Sequence, residues 1–137
     1  MATSVQPKPI PEPDDASREF FEGAARGELM LSRCNQCDAW MQPAAPICSE
    51  CLSRDLRWDR ASGRGTVFTF GVMHQFYHPG FTGDLPYNVA VVELEEGLRF
   101  ATNLVQIANE DIRVGMPVRV TFEEQGGGVM LPKFQPA

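Results

Sequence analysis

The four cysteines of this chain stand in two pairs, Cys34-x2-Cys37 and Cys48-x2-Cys51. Two residues between paired cysteines allow both sulfurs of a tight turn to point at one centre, and two such turns supply four thiolates in a tetrahedral arrangement. The ten residues between the pairs, 38–47, include two prolines and fit a stiff hairpin insert. The spacing therefore predicts a metal site formed by all four cysteines.

The predicted metal is a structural zinc ion. Zinc held by four thiolates is coordinatively closed, so it cannot bind and activate water as a catalytic zinc does. Iron in the same cage would give a one-electron carrier, but Asp38 and Leu52 follow the two pairs in place of the usual glycines, whose backbone amides tune the sulfurs. A disulfide framework is the other alternative, and it is less consistent with a chain that shows no export signal.

No pairing of nucleophile and base accompanies this site. The two histidines, His74 and His78, stand near the end of a predicted strand, where a histidine is more often a packing residue than a general base. Glu95 and Glu96 are adjacent carboxylates in a predicted hairpin turn. Residues 126–128, three glycines, fit a flexible turn better than a phosphate-binding loop. The sequence thus predicts no catalytic residues.

Composition argues against several classes of function. The chain has 137 residues, of which 43% are hydrophobic, and a net charge of −6 without a basic cluster. Nucleic-acid binding needs a basic face to displace counterions, so DNA and RNA are not the expected ligands. No apolar stretch approaches the roughly 20 residues needed to cross a bilayer, and residues 1–15 lack a signal-peptide pattern. We expect a soluble, cytoplasmic protein that does not contact membranes.

The metal site belongs to the first of two structured segments. Residues 1–16 have a proline at every second position from 7 to 13, which predicts an arm that is either disordered or a strap ordered on a partner. Residues 17–60 predict a short helix that carries Phe20 and Phe21 and stops at Gly27, followed by the ribbon around the cysteines. Such a small ribbon cannot fold unaided, so metal and fold should be lost together.

Residues 61–137 predict a small β barrel. After a joint of small residues, 61–65, the pattern changes to alternating strands, five in about 75 residues, with short turns and glycine-rich bends. Phe68, Phe70 and Val72 share one face of the first of these strands. This density of strands suits a closed five-stranded barrel of the oligomer-binding (OB) type better than a sandwich.

The second strand of this barrel is apolar on both faces, which predicts a central position. Its two faces carry Tyr87, Val89 and Val91 on one side and Ala90, Val92 and Leu94 on the other.

A long connection, residues 75–86, carries three aromatic side chains, Phe76, Tyr77 and Phe81. Loops of this length inside compact domains are often functional. Two interpretations remain open: the loop covers a ligand, or its aromatic side chains pack over the end of the barrel.

Short motifs around the cysteines are similar to those of a known family. The chain resembles the family known as domain of unknown function 35 (DUF35), two-part proteins with a rubredoxin-like zinc ribbon and an OB fold. The resemblance runs from about residue 17 to the end. Asp38 and Leu52 depart from the family's knuckle glycines, and a proline before Cys51 is missing. The matching motifs besides the cysteine set are Phe20-Phe21, Gly27-Glu28-Leu29, Ser62–Val67, Pro86-Tyr87, Leu94–Gly97 and Val114–Val118.

The resemblance implies a mainly β protein with an N-terminal helix, a four-cysteine zinc ribbon and a five-stranded OB barrel. It implies a non-catalytic accessory subunit, inactive alone, that binds or bridges acyl-CoA in lipid or sterol metabolism. Its expected partner in a hetero-oligomer is a thiolase-like enzyme or a lipid-transfer-type aldolase. If a CoA phosphate is held, Arg64 is the candidate cation, and Phe76, Tyr77 and Phe81 would cover the thioester or acyl tail.

The alternative function is a single-stranded nucleic-acid-binding module, because OB barrels and zinc ribbons both do this elsewhere. Such a module needs aromatic side chains flanked by basic residues on its second and third strands. Arg99 is the only basic residue expected across that surface.

Overall fold

The computed structural model describes residues 6–137 as one helix and eight strands, with two short 3-10 helices at Pro79–Asp84 and Asn109–Asp111. The predicted fold class is confirmed: the described chain is mostly strands, with an N-terminal helix, a four-cysteine ribbon and a curled five-stranded sheet. Residues 1–5 of the predicted arm lie outside the described part. The elements are α1 (Arg18–Ala25), β1 (Met30–Cys34), β2 (Trp40–Met41), β3 (Leu56–Arg60), β4 (Arg64–Met73), β5 (Tyr87–Leu94), β6 (Arg99–Thr102), β7 (Pro117–Gly126) and β8 (Val129–Pro136).

Helix α1 packs against the barrel through one face. Its Phe20 ring lies 6.2 Å from the ring of Phe100, centre to centre, in the barrel core. Gly23 lies so close to β1 that an added Cβ would come within 2.4 Å of Met30. Gly27 adopts the left-handed conformation, φ 80°, and ends the helix as predicted.

The ribbon is a three-stranded antiparallel sheet in the order β2-β1-β3. Strand β1 joins two separate cores. Leu29, just before it, and Leu31 are buried in the barrel core, whereas Cys34 at its end is buried with Met41 and Cys48 in a small cluster around the thiols. The ribbon is therefore attached to the barrel through the start of the strand that carries the first ligand.

The barrel is a five-stranded antiparallel sheet in the order β6-β5-β4-β7-β8. It closes where β8 meets the chain after β6, because Phe134 donates its amide to Asn103 O at 3.1 Å and accepts from Val105 N at 2.8 Å. Its core comprises Leu29, Leu31, Ala61, Val67, Ala90, Val92, Leu94, Phe100, Leu104, Ile112, Val118 and Phe134.

A β-bulge in β4 changes which side chains face the core. The pairing with β5 shifts by one residue between Val67 and Thr69. As a result Val67 is buried, whereas Phe68 is 42% exposed and does not share a covered face with Phe70. Regular alternation cannot reveal a bulge, which inserts one extra residue on one strand only.

Strand β5 lies between β4 and β6, and its inner face is buried. Its outer face carries the apolar residues that predicted a strand covered on both sides. Val89 on this outer face is nevertheless 41% exposed.

The first described residues lie along the barrel. Lys8 pairs with Asp84 at 2.6 Å, and the backbone of residues 7 and 8 lies against Gly80, where an added Cβ would come within 2.8 Å of it. Within residues 6–137, no helix is long and apolar enough to cross a membrane.

Candidate functional site

The four thiols converge at one end of the ribbon. Their sulfur atoms all lie within 4.8 Å of one another. Cys34 Sγ is 3.5 Å from Cys51 Sγ, and Cys37 Sγ is 3.6 Å from Cys48 Sγ. In a regular tetrahedron with zinc–sulfur bonds of about 2.3 Å, the sulfurs are about 3.8 Å apart. The observed cluster is therefore positioned to bind a metal ion.

Two matching turns, which we call the knuckles, position the thiols. In the first knuckle the amide of Asp38 donates to Cys34 O at 3.1 Å, and in the second the amide of Leu52 donates to Cys48 O at 3.0 Å. Asp38 and Leu52 both adopt φ 63°, the left-handed conformation that glycine usually supplies. The departures from the family's glycines thus leave the turn geometry intact.

Backbone amides point at the two buried sulfurs. Cys34 Sγ accepts from the amides of Gln36 and Cys37 at 3.3 and 3.5 Å, and Cys48 Sγ accepts from the amide of Glu50 at 3.4 Å. Hydrogen bonds from the amides of Cys37 and Gln36 lower the pKa of Cys34 to about 6. Amides of the second knuckle likewise lower the pKa of Cys48. Metal binding requires the thiolate form, which these amides favour.

An arginine–aspartate network braces the ribbon beside the first knuckle. Arg57 contacts Asp38 Oδ1 at 3.2 Å and also donates to Cys34 O at 3.2 Å. Arg33 pairs with Asp59 at 3.0 Å, and its guanidinium stacks 4.6 Å from the ring centre of Trp40. The hydrogen bond from Arg33 is the main cause that lowers the pKa of Asp59. Asp38 therefore replaces a glycine and adds a tie between the knuckle and β3.

Arg64 lies in a cleft of about 630 Å³ at the seam between β4 and β7. It binds both carboxylate oxygens of Glu95, at 2.9 and 3.1 Å, and this bond lowers the pKa of Glu95. Arg119 of β7 lies directly opposite Arg64 in the strand pairing and lines the same cleft. The sequence did not identify Arg119, because only the pairing of β4 with β7 brings the two arginines together.

The connection of residues 75–86, which we call the aromatic loop, follows the other end of β4. Arg64 is the first of the ten residues of β4, so up to about 30 Å of extended strand lies between it and the last residue. Phe81 packs against Tyr87, with ring centres 6.0 Å apart. Phe76 is 42% exposed and Tyr77 79% exposed. Arg64 and the three aromatic residues of the loop thus lie towards opposite ends of β4.

Neither histidine is arranged as a catalytic base. His78 Nδ1 accepts a hydrogen bond from the amide of Gly80 at 3.0 Å and caps the 3-10 helix that follows. His74 directly follows β4 and is exposed.

Comparison with known proteins follows the two parts of the structure. A family model described as "ChsH2, rubredoxin-like zinc ribbon domain" matches residues 21–57. A second, "ChsH2, C-terminal OB-fold domain", matches residues 58–123.

Two curated relatives differ in length. A "DUF35 domain-containing scaffold protein" of Methanocaldococcus jannaschii is 33% identical over 79% of this chain and 81% of the relative. A "Probable enoyl-CoA hydratase alpha subunit" of Thermomonospora curvata is 40% identical over 98% of this chain. The chain spans 41% of the length of that second relative.

Two solved structures share the fold. In one described as "Ltp2-ChsH2(DUF35) aldolase", the matching chain is 38% identical, with a TM-score of 0.83 over 93% of this chain and 98% of that one. A DUF35 protein from Sulfolobus solfataricus matches with a TM-score of 0.59 over 90% of this chain and 86% of that one. At 13% identity the second likeness shows the fold alone.

Proposed function

Because the chain belongs to the DUF35 family of zinc-ribbon and OB-fold proteins, we propose that it is a non-catalytic accessory subunit of an acyl-CoA enzyme. In this role it binds or bridges acyl-CoA and scaffolds a thiolase-like enzyme or a lipid-transfer-type aldolase. The observation that supports this most is the likeness to a chain of the Ltp2-ChsH2 aldolase, which extends over 98% of that chain at 38% identity.

The chemistry of the described residues supports a role without catalysis. All four thiols converge on one centre, so a bound ion would have no open position for water or substrate. Neither His74 nor His78 is paired with a nucleophile, and His78 is engaged with the backbone of its own loop. An accessory subunit needs no reactive group of its own.

We infer that the resident metal is zinc, held by Cys34, Cys37, Cys48 and Cys51. The all-sulfur donor set and the amides around Cys34 and Cys48 fit a structural zinc site. A bound ion cross-links the two knuckles and thereby sets the position of β2 and β3 against β1. Its role is to hold the ribbon in shape.

The cleft at the β4–β7 seam is the best-supported place for the CoA phosphates. Arg64 and Arg119 face each other across the strand pair, and guanidinium groups bind phosphate oxygens in a bidentate manner. The guanidinium of Arg64 is paired with Glu95, so a phosphate would have to displace that carboxylate. Arg119 forms no ion pair within residues 6–137. The aromatic loop is too far from this cleft to cover the same end of a ligand, so Phe76, Tyr77 and Phe81 would act on a different part of it.

Calorimetry tests the acyl-CoA assignment. We expect acetyl-CoA to bind at low ionic strength, and Arg64→Ala and Arg119→Ala each to weaken binding by about 5- to 10-fold, with a smaller effect at high salt. Arg54→Ala is the matched control, because Arg54 is an exposed arginine outside the cleft. An unchanged affinity in both cleft variants would remove the cleft from the proposal.

Size-exclusion chromatography with light scattering tests the scaffold role. The chain and a purified lipid-transfer-type aldolase subunit of the same host should elute as one hetero-oligomer. Separate elution of the two proteins would contradict the proposal, and salt-dependent binding of a single-stranded oligonucleotide would favour the nucleic-acid alternative instead.

A further inference from the structure

Both lysines of the chain line one cavity on the barrel. The chain contains twelve basic residues, and Lys8 and Lys133 are its only lysines. Lys8 belongs to the first described residues and Lys133 to β8, yet both line a cavity of about 350 Å³. The cavity lies between the aromatic loop and strands β7 and β8, and its apolar wall includes Phe81 and Leu104. This volume is at the lower end for ligand pockets, so it suits a small group rather than a whole coenzyme.

The two amines differ in their charged neighbours. Lys8 Nζ lies 2.6 Å from Asp84 Oδ2 in an ion pair. A carboxylate at this distance favours the charged form of an amine, which is not a nucleophile. Lys133 takes part in no ion pair within residues 6–137. Its Nζ donates instead to the uncharged side-chain oxygen of Asn103.

Asparagines of the cavity wall fix the position of the Lys133 amine. Asn103 Nδ2 donates to the backbone oxygen of Asn88 in β5, so the amide that accepts from Lys133 is itself anchored. Asn88 Nδ2 in turn donates to Leu104 O at 2.9 Å. A lysine amine offers three hydrogen-bonding positions, and Lys133 uses one of them on Asn103. The rest of the amine can contact a molecule in the cavity that Lys133 lines.

Burial favours the neutral form of Lys133. Loss of hydration on burial is the main cause that lowers the pKa of Lys133, and the nearby charge of Lys8 lowers it further. Glu123 and Asp84 also lie near the amine and partly offset this effect. At a given pH, a larger fraction of Lys133 is therefore neutral than of an ordinary exposed lysine. The neutral amine is the form that attacks carbonyl groups.

We propose that Lys133 is a site of acylation by acyl thioesters. This inference rests on the proposed function for the choice of donor, since a subunit of an acyl-CoA enzyme meets such thioesters. The neutral Nζ attacks the thioester carbonyl carbon, a carbon–nitrogen bond forms and the carbon–sulfur bond breaks. The coenzyme leaves as a thiolate that takes up the proton released by Nζ. The products are an acyl amide on Lys133, with its acyl group in the cavity, and the free thiol of coenzyme A.

Peptide mass spectrometry of the acetylated chain tests this assignment. The full chain is incubated with acetyl-CoA at mildly alkaline pH, and the initial rates of acetylation at its two lysines are compared. We expect Lys133 to react at least about 5-fold faster than Lys8, because Lys8 is paired with a carboxylate and Lys133 is not. In concentrated guanidinium chloride the two rates should agree within about 2-fold, because the unfolded chain has no cavity.

Two matched variants assign the reaction to one residue. Lys133→Arg keeps a cation but has no amine that can be acylated, so it should lose most of the acetyl groups that the wild type incorporates. Lys8→Arg keeps a cation opposite Asp84 and should be acetylated at Lys133 as fast as the wild type is. Far-UV circular dichroism confirms that each variant is folded.

The outcomes separate this inference from the proposed function. Acetylation of Lys133 that is no faster than that of Lys8, or a preference for Lys133 that persists in the unfolded chain, overturns the inference. A preference seen with acetyl phosphate but not with acetyl-CoA overturns it as well. A chain that binds acetyl-CoA and the catalytic subunit but acetylates both lysines alike loses this inference alone. A chain that is acetylated preferentially at Lys133 and binds no catalytic subunit loses the proposed function alone.

Discussion

Removal of one thiolate should unfold the ribbon and leave the barrel folded. The cluster around the thiols buries Cys34, Cys48 and one large apolar side chain, Met41. Full burial of such a side chain stabilises by about 1.5–3 kcal/mol. Structural zinc contributes about 10–16 kcal/mol in small zinc peptides. Cys48→Ser should lose the ion and with it this contribution, which exceeds what the apolar cluster can offset.

The two tryptophans make this prediction measurable. Trp40 lies on β2 and Trp58 on β3, so tryptophan emission reports on the ribbon, whereas far-UV circular dichroism mainly reports on the barrel strands. The wild type should contain one zinc ion per chain. Cys48→Ser should lose it, show red-shifted emission, and unfold in urea at a lower midpoint by fluorescence than by circular dichroism.

A second knuckle variant serves as the control. Asp38→Gly removes the contact with Arg57 but supplies the residue that favours φ 63°, so it should retain the metal. The reasoning is refuted if Cys48→Ser keeps one metal ion per chain and its fluorescence and dichroism transitions coincide.

Three further predictions concern the backbone, a buried amide and pH. Gly63→Ala should lower the free energy of unfolding in urea by about 2 kcal/mol or more, because Gly63 has φ 76° and an added Cβ would lie 2.4 Å from a valine of β7. As a control, Leu52→Gly places glycine at a residue with φ 63°, and its free energy of unfolding should stay within about 0.5 kcal/mol of the wild-type value. Asn88→Leu should cost about 2–4 kcal/mol in the same assay, because it leaves the buried N–H and C=O of Leu104 without their partner. Burial lowers the pKa of Lys133, so at pH values just below the ordinary lysine pKa the unfolded chain binds more protons than the folded chain. The free energy of unfolding should therefore rise with pH in the alkaline range. Lys133→Met should flatten that rise, and an unchanged slope would contradict this assignment.

Local sequence signals predicted the metal-binding half well. The cysteine spacing, the stop at Gly27 and the apolar face of α1 each depend on residues close together in the chain, and the structure has all three. Asp38 and Leu52 stand where the family's knuckles have glycine, and both turns form nevertheless. Both residues adopt the left-handed conformation, and Asp38 gains an arginine partner that lies nineteen residues away.

Features that depend on distant pairing were not predictable from the sequence. The bulge after Val67 shows only in the pairing with β5, and the position of Arg119 opposite Arg64 shows only in the pairing of β4 with β7. The apolar outer face of β5 was visible in the sequence, but the sequence does not show whether other parts of the chain cover that face. Only the structure shows that the described chain leaves Val89 uncovered.

The proposed role as an accessory subunit is tested most directly by a titration of activity. A fixed amount of the lipid-transfer-type aldolase subunit of the same host is assayed on its acyl-CoA substrate with increasing amounts of this chain. The account predicts no turnover by the chain alone and a rise in the activity of the aldolase subunit that saturates at a stoichiometric ratio. Turnover by the chain alone, or an aldolase activity that does not change across the titration, would contradict it.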